Sequence, residues 1–253
     1  MNATATVKRW VRTVLGRVPG GPRLMEWVRR ERFARRWGGR RSAREIFSHF
    51  YETNRWQDAE SVSGPGSTLA YTRNIRAALP DVFARYGVRR ILDAPCGDYN
   101  WFRHVPRPGV SYLGADIVPA LVRANQARYG DATTAFAELD IIRDPLPAAD
   151  LWLCRDALFH FSEADIFRTL ENLARSEIQY VLTSNHPACD ANRDIATGGF
   201  RQLNLRLPPF DFPPPLLQID DWIEGYPQRQ LCLWTREAIL TSLRDRRSRA
   251  VSA

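Results

Sequence analysis

The chain has only four cysteines in 253 residues, Cys96, Cys154, Cys189 and Cys232, and none of them forms a CxxC pair or a Cys/His ligand spacing. That scarcity excludes a zinc framework or a disulfide scaffold as the organising device, and no metal is expected. Reduced thiols, mostly buried as small hydrophobes, are the expectation. Long hydrophobic runs are missing as well. No stretch approaches the roughly 18 apolar residues that a membrane-spanning helix needs. A GxGxxG fingerprint is absent too, which removes the main sequence signal for dinucleotide pyrophosphate binding. Acidic residues are lacking in the first 25 positions. Because Arg12 and Arg17 interrupt the apolar stretch there, a secretory signal is not expected, whereas an Arg-rich transit peptide stays open.

What is present is ordinary globular composition, 44% hydrophobic and 25% charged, with the charge unevenly placed. Residues 1–50 carry thirteen Lys/Arg against three Asp/Glu, and residues 241–253 carry four Arg against one Asp. Since the whole chain is at +8, the remainder is mildly acidic. This divides the chain into a basic extension over 1–44, one catalytic-sized domain over 45–240 and a basic tail over 241–253. Within the extension, two amphipathic arginine-rich stretches flank Pro19-Gly20-Gly21-Pro22, each able to form a short helix. Three readings of this arm stay open: a solvated extension, attachment to an anionic membrane surface, or a phosphate-binding arm for nucleic acid, the last being the least favoured. A cytoplasmic location, with peripheral membrane attachment as the variant, is expected.

From residue 88 onward, β-type runs alternate with helical patterns, as in a parallel sheet with covering helices. The expected strands are 88–94, 110–117, 134–141, 150–156 and 178–184, closed by a hairpin of 216–222 and 229–234. Pro119 suits the first turn of a helix that runs toward Gly130. Ser162 with Asp165 resembles a capping pair ahead of Ile166, Leu170 and Leu173. Ile75, Leu79, Val82 and Tyr86 form another apolar face. In such sheets ligands bind beyond the carboxyl ends of the strands. Those ends here read Asp93-Ala94-Pro95-Cys96-Gly97-Asp98, Asp116, Asp140, Arg155-Asp156 and Ser184-Asn185-His186.

These residues resemble the class I S-adenosylmethionine-dependent methyltransferases, most firmly over residues 88–161. The resemblance implies an α/β Rossmann-like, mostly parallel sheet of about seven strands with flanking helices, and S-adenosyl-L-methionine as cofactor. It implies that Asp93 and Gly97 face the amino-acid part of the cofactor, that Asp116 holds the ribose hydroxyls and that Asp140 lies near the adenine. Pro95, Ile117, Ile141 and Arg155 complete the implied cofactor contacts. The turn departs from the family's glycine pattern at Pro95 and Tyr99. Proline cannot imitate a glycine at positive φ.

For methyl transfer to a hydroxyl, the stretch after the fourth strand offers Asp156 and His160, four residues apart. On a helix they would share a face, with Asp156 orienting His160 as the base. His186 is the second candidate base. Residues 51–68, with glycines among hydroxyls, read as a lid, and 186–215, rich in proline and aromatics, as an acceptor-side insertion. The resulting expectation is O-methylation of a small molecule or glycan, supported by the absence of the Asn/Asp-Pro-Pro-Tyr type of motif that amino-methylating relatives often carry. RNA methylation and cofactor binding without turnover are the competing readings.

Overall fold

The computed structural model describes Trp37 and residues 41–251. The two amphipathic stretches expected in the basic arm lie almost wholly outside the described residues. The described chain opens with α1 (Ala43–Glu52), started by Ser42, whose hydroxyl accepts from the Glu45 amide while the Glu45 carboxylate accepts from the Ser42 amide. This helix was not expected from the sequence. It buries Ile46 and Phe50 against Trp37.

Next come α2 (Arg73–Arg85), β1 (Arg90–Asp93), β2 (Ser111–Asp116), α3 (Pro119–Tyr129), β3 (Thr134–Glu138), β4 (Leu151–Cys154), α4 (Glu163–Arg175), β5 (Tyr180–Asn185), β6 (Leu217–Asp220), β7 (Gln230–Thr235) and α5 (Arg236–Val251). The strands form one seven-stranded sheet in the order β3-β2-β1-β4-β5-β7-β6. β1 to β5 pair in parallel, and β7 alone runs against its neighbours β5 and β6. β1 to β6 are shorter than the sequence runs that they fall on, and β7 has the expected six residues shifted by one position. Pro119 stands at the start of α3, and Ser162 caps α4 by accepting from the Asp165 amide. The stretch read as a basic tail from 241 is, as far as 251, the continuation of α5.

Both faces of the sheet are covered. Leu92, Trp152, Val181 and Trp234 point into one apolar cluster, and Ile91, Tyr112, Leu153 and Leu233 into the other. This alternation is what a sheet buried on both sides requires. Much of the segment 186–215 belongs to this core cover, because Leu203, Leu205, Phe210 and Phe212 are all buried in the first cluster. No helix among the described residues is long and apolar enough to cross a membrane.

Candidate active site

The strand order reverses between β1 and β4: the chain moves from β1 outward to β2 and β3, then returns to the other side of β1. Such a switch point leaves a crevice at the carboxyl ends of the strands. A cavity of about 310 Å³ lies there, within the range of small-molecule sites.

Asp93, Pro95, Gly97, Asp116, Ile117, Asp140, Ile141, Arg155, Asp156 and His160 all line this cavity. Asp93 and Asp116 end β1 and β2, while Asp140 stands two residues past β3. Asp93 is buried and accepts from the Tyr112 hydroxyl at 2.7 Å. Burial raises its pKa to about 7, although that hydrogen bond opposes the shift. Asp116 is raised to about 6, again chiefly by burial, with the Val118 and Gly97 amides acting against it. Those amides donate to its two oxygens at 3.1 Å each. An ionised carboxylate has about four lone-pair directions, so room remains for two hydroxyl donors. Asp140 accepts from the Ile142 amide at 3.0 Å, and burial raises its pKa.

The loop after β1 solves its glycine shortage in an unexpected way. Gly97 takes φ +57°, and a Cβ there would meet Ser63 Oγ at 2.3 Å. Tyr99 adopts the same left-handed backbone at φ 57° with a full side chain. Its ring is buried among Phe102, Tyr112 and Phe136, so packing holds a conformation that glycine would otherwise supply.

The segment read as a lid lies over this loop. Asp98 accepts from Ser61 Oγ at 2.9 Å and from the Val62 amide at 3.0 Å, while its own amide donates to Ser63 Oγ at 3.0 Å. Residues 62–67 therefore form a wall of the cavity, and α1 with Trp56 forms the neighbouring aromatic wall.

The expected helix shared by Asp156 and His160 is not there. Asp156 has φ 56°, and only one 3₁₀ turn, Leu158–His160, follows it. The carboxylate turns toward arginines: Arg229 Nη1 is 2.7 Å from its Oδ1, and Arg155 Nη1 is 3.4 Å from its Oδ2. Burial would raise the Asp156 pKa, but Arg155 and Arg229 outweigh it and hold the group ionised. His160 instead sets Nδ1 2.6 Å from the Gly199 carbonyl. A carbonyl only accepts, so Nδ1 carries the hydrogen and Nε2 keeps its lone pair. Burial lowers the His160 pKa, so the ring is neutral near pH 7. Trp56, Phe159 and Phe200 surround it.

His186 is not on the cavity wall. It is buried below Phe159, its Nδ1 accepts from the Leu203 amide at 3.2 Å, and burial lowers its pKa to about 4. Of the insertion 186–215, Phe200 alone lines the cavity.

A buried ion network at the edge of the site was missed in the sequence. Asp221 and Arg229 flank the β6–β7 loop, far along the chain from the first loop. Asp221 is fully buried and accepts from Arg155 Nε and Nη2, both at 2.9 Å, and from Arg229 Nε at 3.1 Å. Arg155 Nη2 also donates to the Gly66 carbonyl at 2.7 Å. Arg155 thus ties β4, the lid segment and the hairpin together. No three His, Cys, Asp or Glu side chains among the described residues are placed to hold a metal ion.

No family model matches this chain, and no curated protein sequence matches it. Solved structures do. PigF, determined with SAH, superposes with a TM-score of 0.56 at 15% identity, over 80% of this chain and 64% of PigF. The match thus spans less than two thirds of PigF. The N-methyltransferase NodS from Bradyrhizobium japonicum WM9 gives 0.51 at 11% identity, over 66% of this chain and 96% of NodS. Magnesium protoporphyrin IX methyltransferase (ChlM) from Synechocystis PCC 6803, with bound SAH, gives 0.50 at 12% identity, over 83% and 99%. The fold of this chain is the Rossmann-like fold of the class I methyltransferases.

Proposed function

We propose that this chain is an S-adenosylmethionine-dependent methyltransferase that methylates a hydroxyl of a small-molecule acceptor. The observation that carries this reading is the convergence of Asp93, Asp116 and Asp140, from three adjacent strands, on one cavity with Gly97. A carboxylate with free lone pairs beside a second, buried carboxylate suits a ribose diol next to an α-ammonium. The similar folds of PigF and ChlM, both determined with SAH, support the same cofactor.

In this reading Asp116 holds the ribose hydroxyls, Asp93 faces the ammonium, and Asp140 with Ile141 borders the adenine. Pro95 and Ile117 wall the same space, and Arg155 braces it from β4. When bound, S-adenosylmethionine supplies a methyl group made electrophilic by its sulfonium. Alignment of acceptor and methyl contributes much of the acceleration in such displacements. His160 Nε2 would take the proton from the acceptor hydroxyl as that oxygen is methylated. The Gly199 carbonyl holds the tautomer this requires. Asp156, committed to Arg155 and Arg229, is assigned to the ion network instead of the proton transfer. Within the segment 51–68, residues 62–67 are assigned as the part of the lid that excludes water.

Calorimetric titration with S-adenosylhomocysteine, with NADH as control, tests the reading. Binding of the first alone supports it. Absence of binding by both removes it.

A further inference from the structure

Phe200 lines the cavity yet keeps 52% of its surface exposed. Its backbone is nonetheless fixed on both sides. The Gly198 amide donates to the His160 carbonyl at 2.7 Å, the Gly199 carbonyl accepts from His160 Nδ1 at 2.6 Å, and the Arg201 amide donates to the Phe159 carbonyl at 3.2 Å. These bonds lay residues 198–201 along Phe159 and His160. The Phe200 ring therefore stands 5.9 Å from the imidazole and edge-on to Phe159 at 5.5 Å.

Trp56, from the lid segment, approaches the same imidazole at 5.4 Å between ring centroids. It is set in turn by Phe50, edge-on at 5.7 Å, and by Gly64, where a Cβ would come within 3.1 Å of the indole. Trp56, Phe159 and Phe200 all line the cavity around His160. The charged side chains at this end are already committed. Arg155 and Arg229 also line the cavity, but they pair with Asp156 and Asp221. A sugar brings several hydroxyls, and burying them against rings leaves hydrogen bonds unmade. A flat apolar ring carries no such cost and gains the edge and face contacts of aromatic packing.

We propose that the methyl acceptor is an uncharged phenol whose ring packs against Phe200 beside His160, which makes Phe200 the residue that selects an aromatic acceptor. This rests on the methyltransferase reading above and narrows its acceptor class. The base agrees with that class. Burial makes the His160 imidazole a weaker base than an exposed one. A phenol, with a pKa of roughly 10, is within its reach far more readily than an alkyl alcohol, which is about as weak an acid as water at ~16.

The test titrates the full chain, saturated with S-adenosylhomocysteine, with 2-naphthol, its saturated analogue 2-decalol, and methyl β-D-glucoside. The naphthol is expected to bind about threefold to tenfold more tightly than the decalol, the range that aromatic pairing supplies, and the glucoside to bind weakest of the three. Phe200→Leu keeps an apolar side chain without the ring. It should erase the preference for the naphthol while leaving S-adenosylhomocysteine affinity unchanged, and Phe200→Trp should retain the preference. Because Phe200 is half exposed, neither change opens a hole in the core. Equal binding of naphthol and decalol, or binding of neither, overturns the proposal. So does a glucoside that binds as tightly as the naphthol, which would assign a sugar acceptor. A preference that survives in Phe200→Leu removes Phe200 as the selecting residue, and a tenfold loss of S-adenosylhomocysteine affinity in that variant would place its ring against the cofactor. Failure of the wild-type chain to bind S-adenosylhomocysteine is a separate result that removes the methyltransferase reading itself.

Discussion

Arg229 pairs with Asp156 at 2.7 Å, whereas His160, four residues from Asp156, turns its Nδ1 to the Gly199 carbonyl. The ring is therefore oriented by a backbone oxygen, and Nε2 keeps the lone pair of an acceptor. The carboxylate serves the ion network that joins β4 to the β6–β7 hairpin.

His160→Gln should then lower kcat by about a hundredfold or more, in the range of a lost general base, with little change in the dissociation constant of S-adenosylhomocysteine. Because burial lowers the His160 pKa, the acid limb of kcat/KM should fall below the ordinary histidine value of about 6.5. Steady-state rates across pH check both points. A variant with wild-type turnover removes the base assignment.

Asp116→Ala should weaken S-adenosylhomocysteine binding by about tenfold or more, as expected for losing charge-assisted bonds worth roughly 1.5–3 kcal/mol. Calorimetry measures this directly. An unchanged affinity would mean that the ribose lies elsewhere. Protein stability provides the control, because Asp116 also accepts from the Gly97 and Val118 amides, and its removal should lower Tm modestly.

Much of this site was legible in the sequence because it is local. The runs ending in Asp93 and Asp116 place their carboxylates at a fixed offset from a strand, and periodicity places strands well. Asp221 and Arg229 were not legible, since their roles exist only once β7 inserts beside β5. The Asp156–His160 helix failed for a local reason: a left-handed residue at Asp156 breaks the spacing rule that a helix would enforce. Tyr99 shows the converse, where aromatic packing supplies what the sequence pattern assigns to glycine.

Asp221→Asn should destabilise the fold by about 3 kcal/mol or more, because it leaves Arg155 and Arg229 buried with one carboxylate between them. Denaturant unfolding measures the loss. The corresponding change Glu138→Gln, on the exposed Arg44–Glu138 pair, should cost about 1 kcal/mol or less, since water and salt already screen it. Similar losses at both places would show that the buried network is no more than a surface feature.

Asp93 makes cofactor affinity and unliganded stability respond oppositely to pH. Burial places its pKa near 7 in the folded chain, against about 3.9 when unfolded, so the folded state holds the extra proton between those values. Stability of the unliganded protein therefore decreases as pH rises from about 4 to 7. The cofactor's ammonium requires the ionised form, so S-adenosylhomocysteine affinity should fall by up to about tenfold per unit as pH drops below 7. Asp93→Asn separates the two effects. At pH 8 it should raise the Tm of the unliganded chain, by roughly 2–4 °C for each kcal/mol recovered, while weakening S-adenosylhomocysteine binding severely. The strain of a buried charge would then be what the empty pocket tolerates so that a cation can be held there. A variant that loses stability at pH 8, or that binds as tightly as wild type, would show that Asp93 is ordinary core structure.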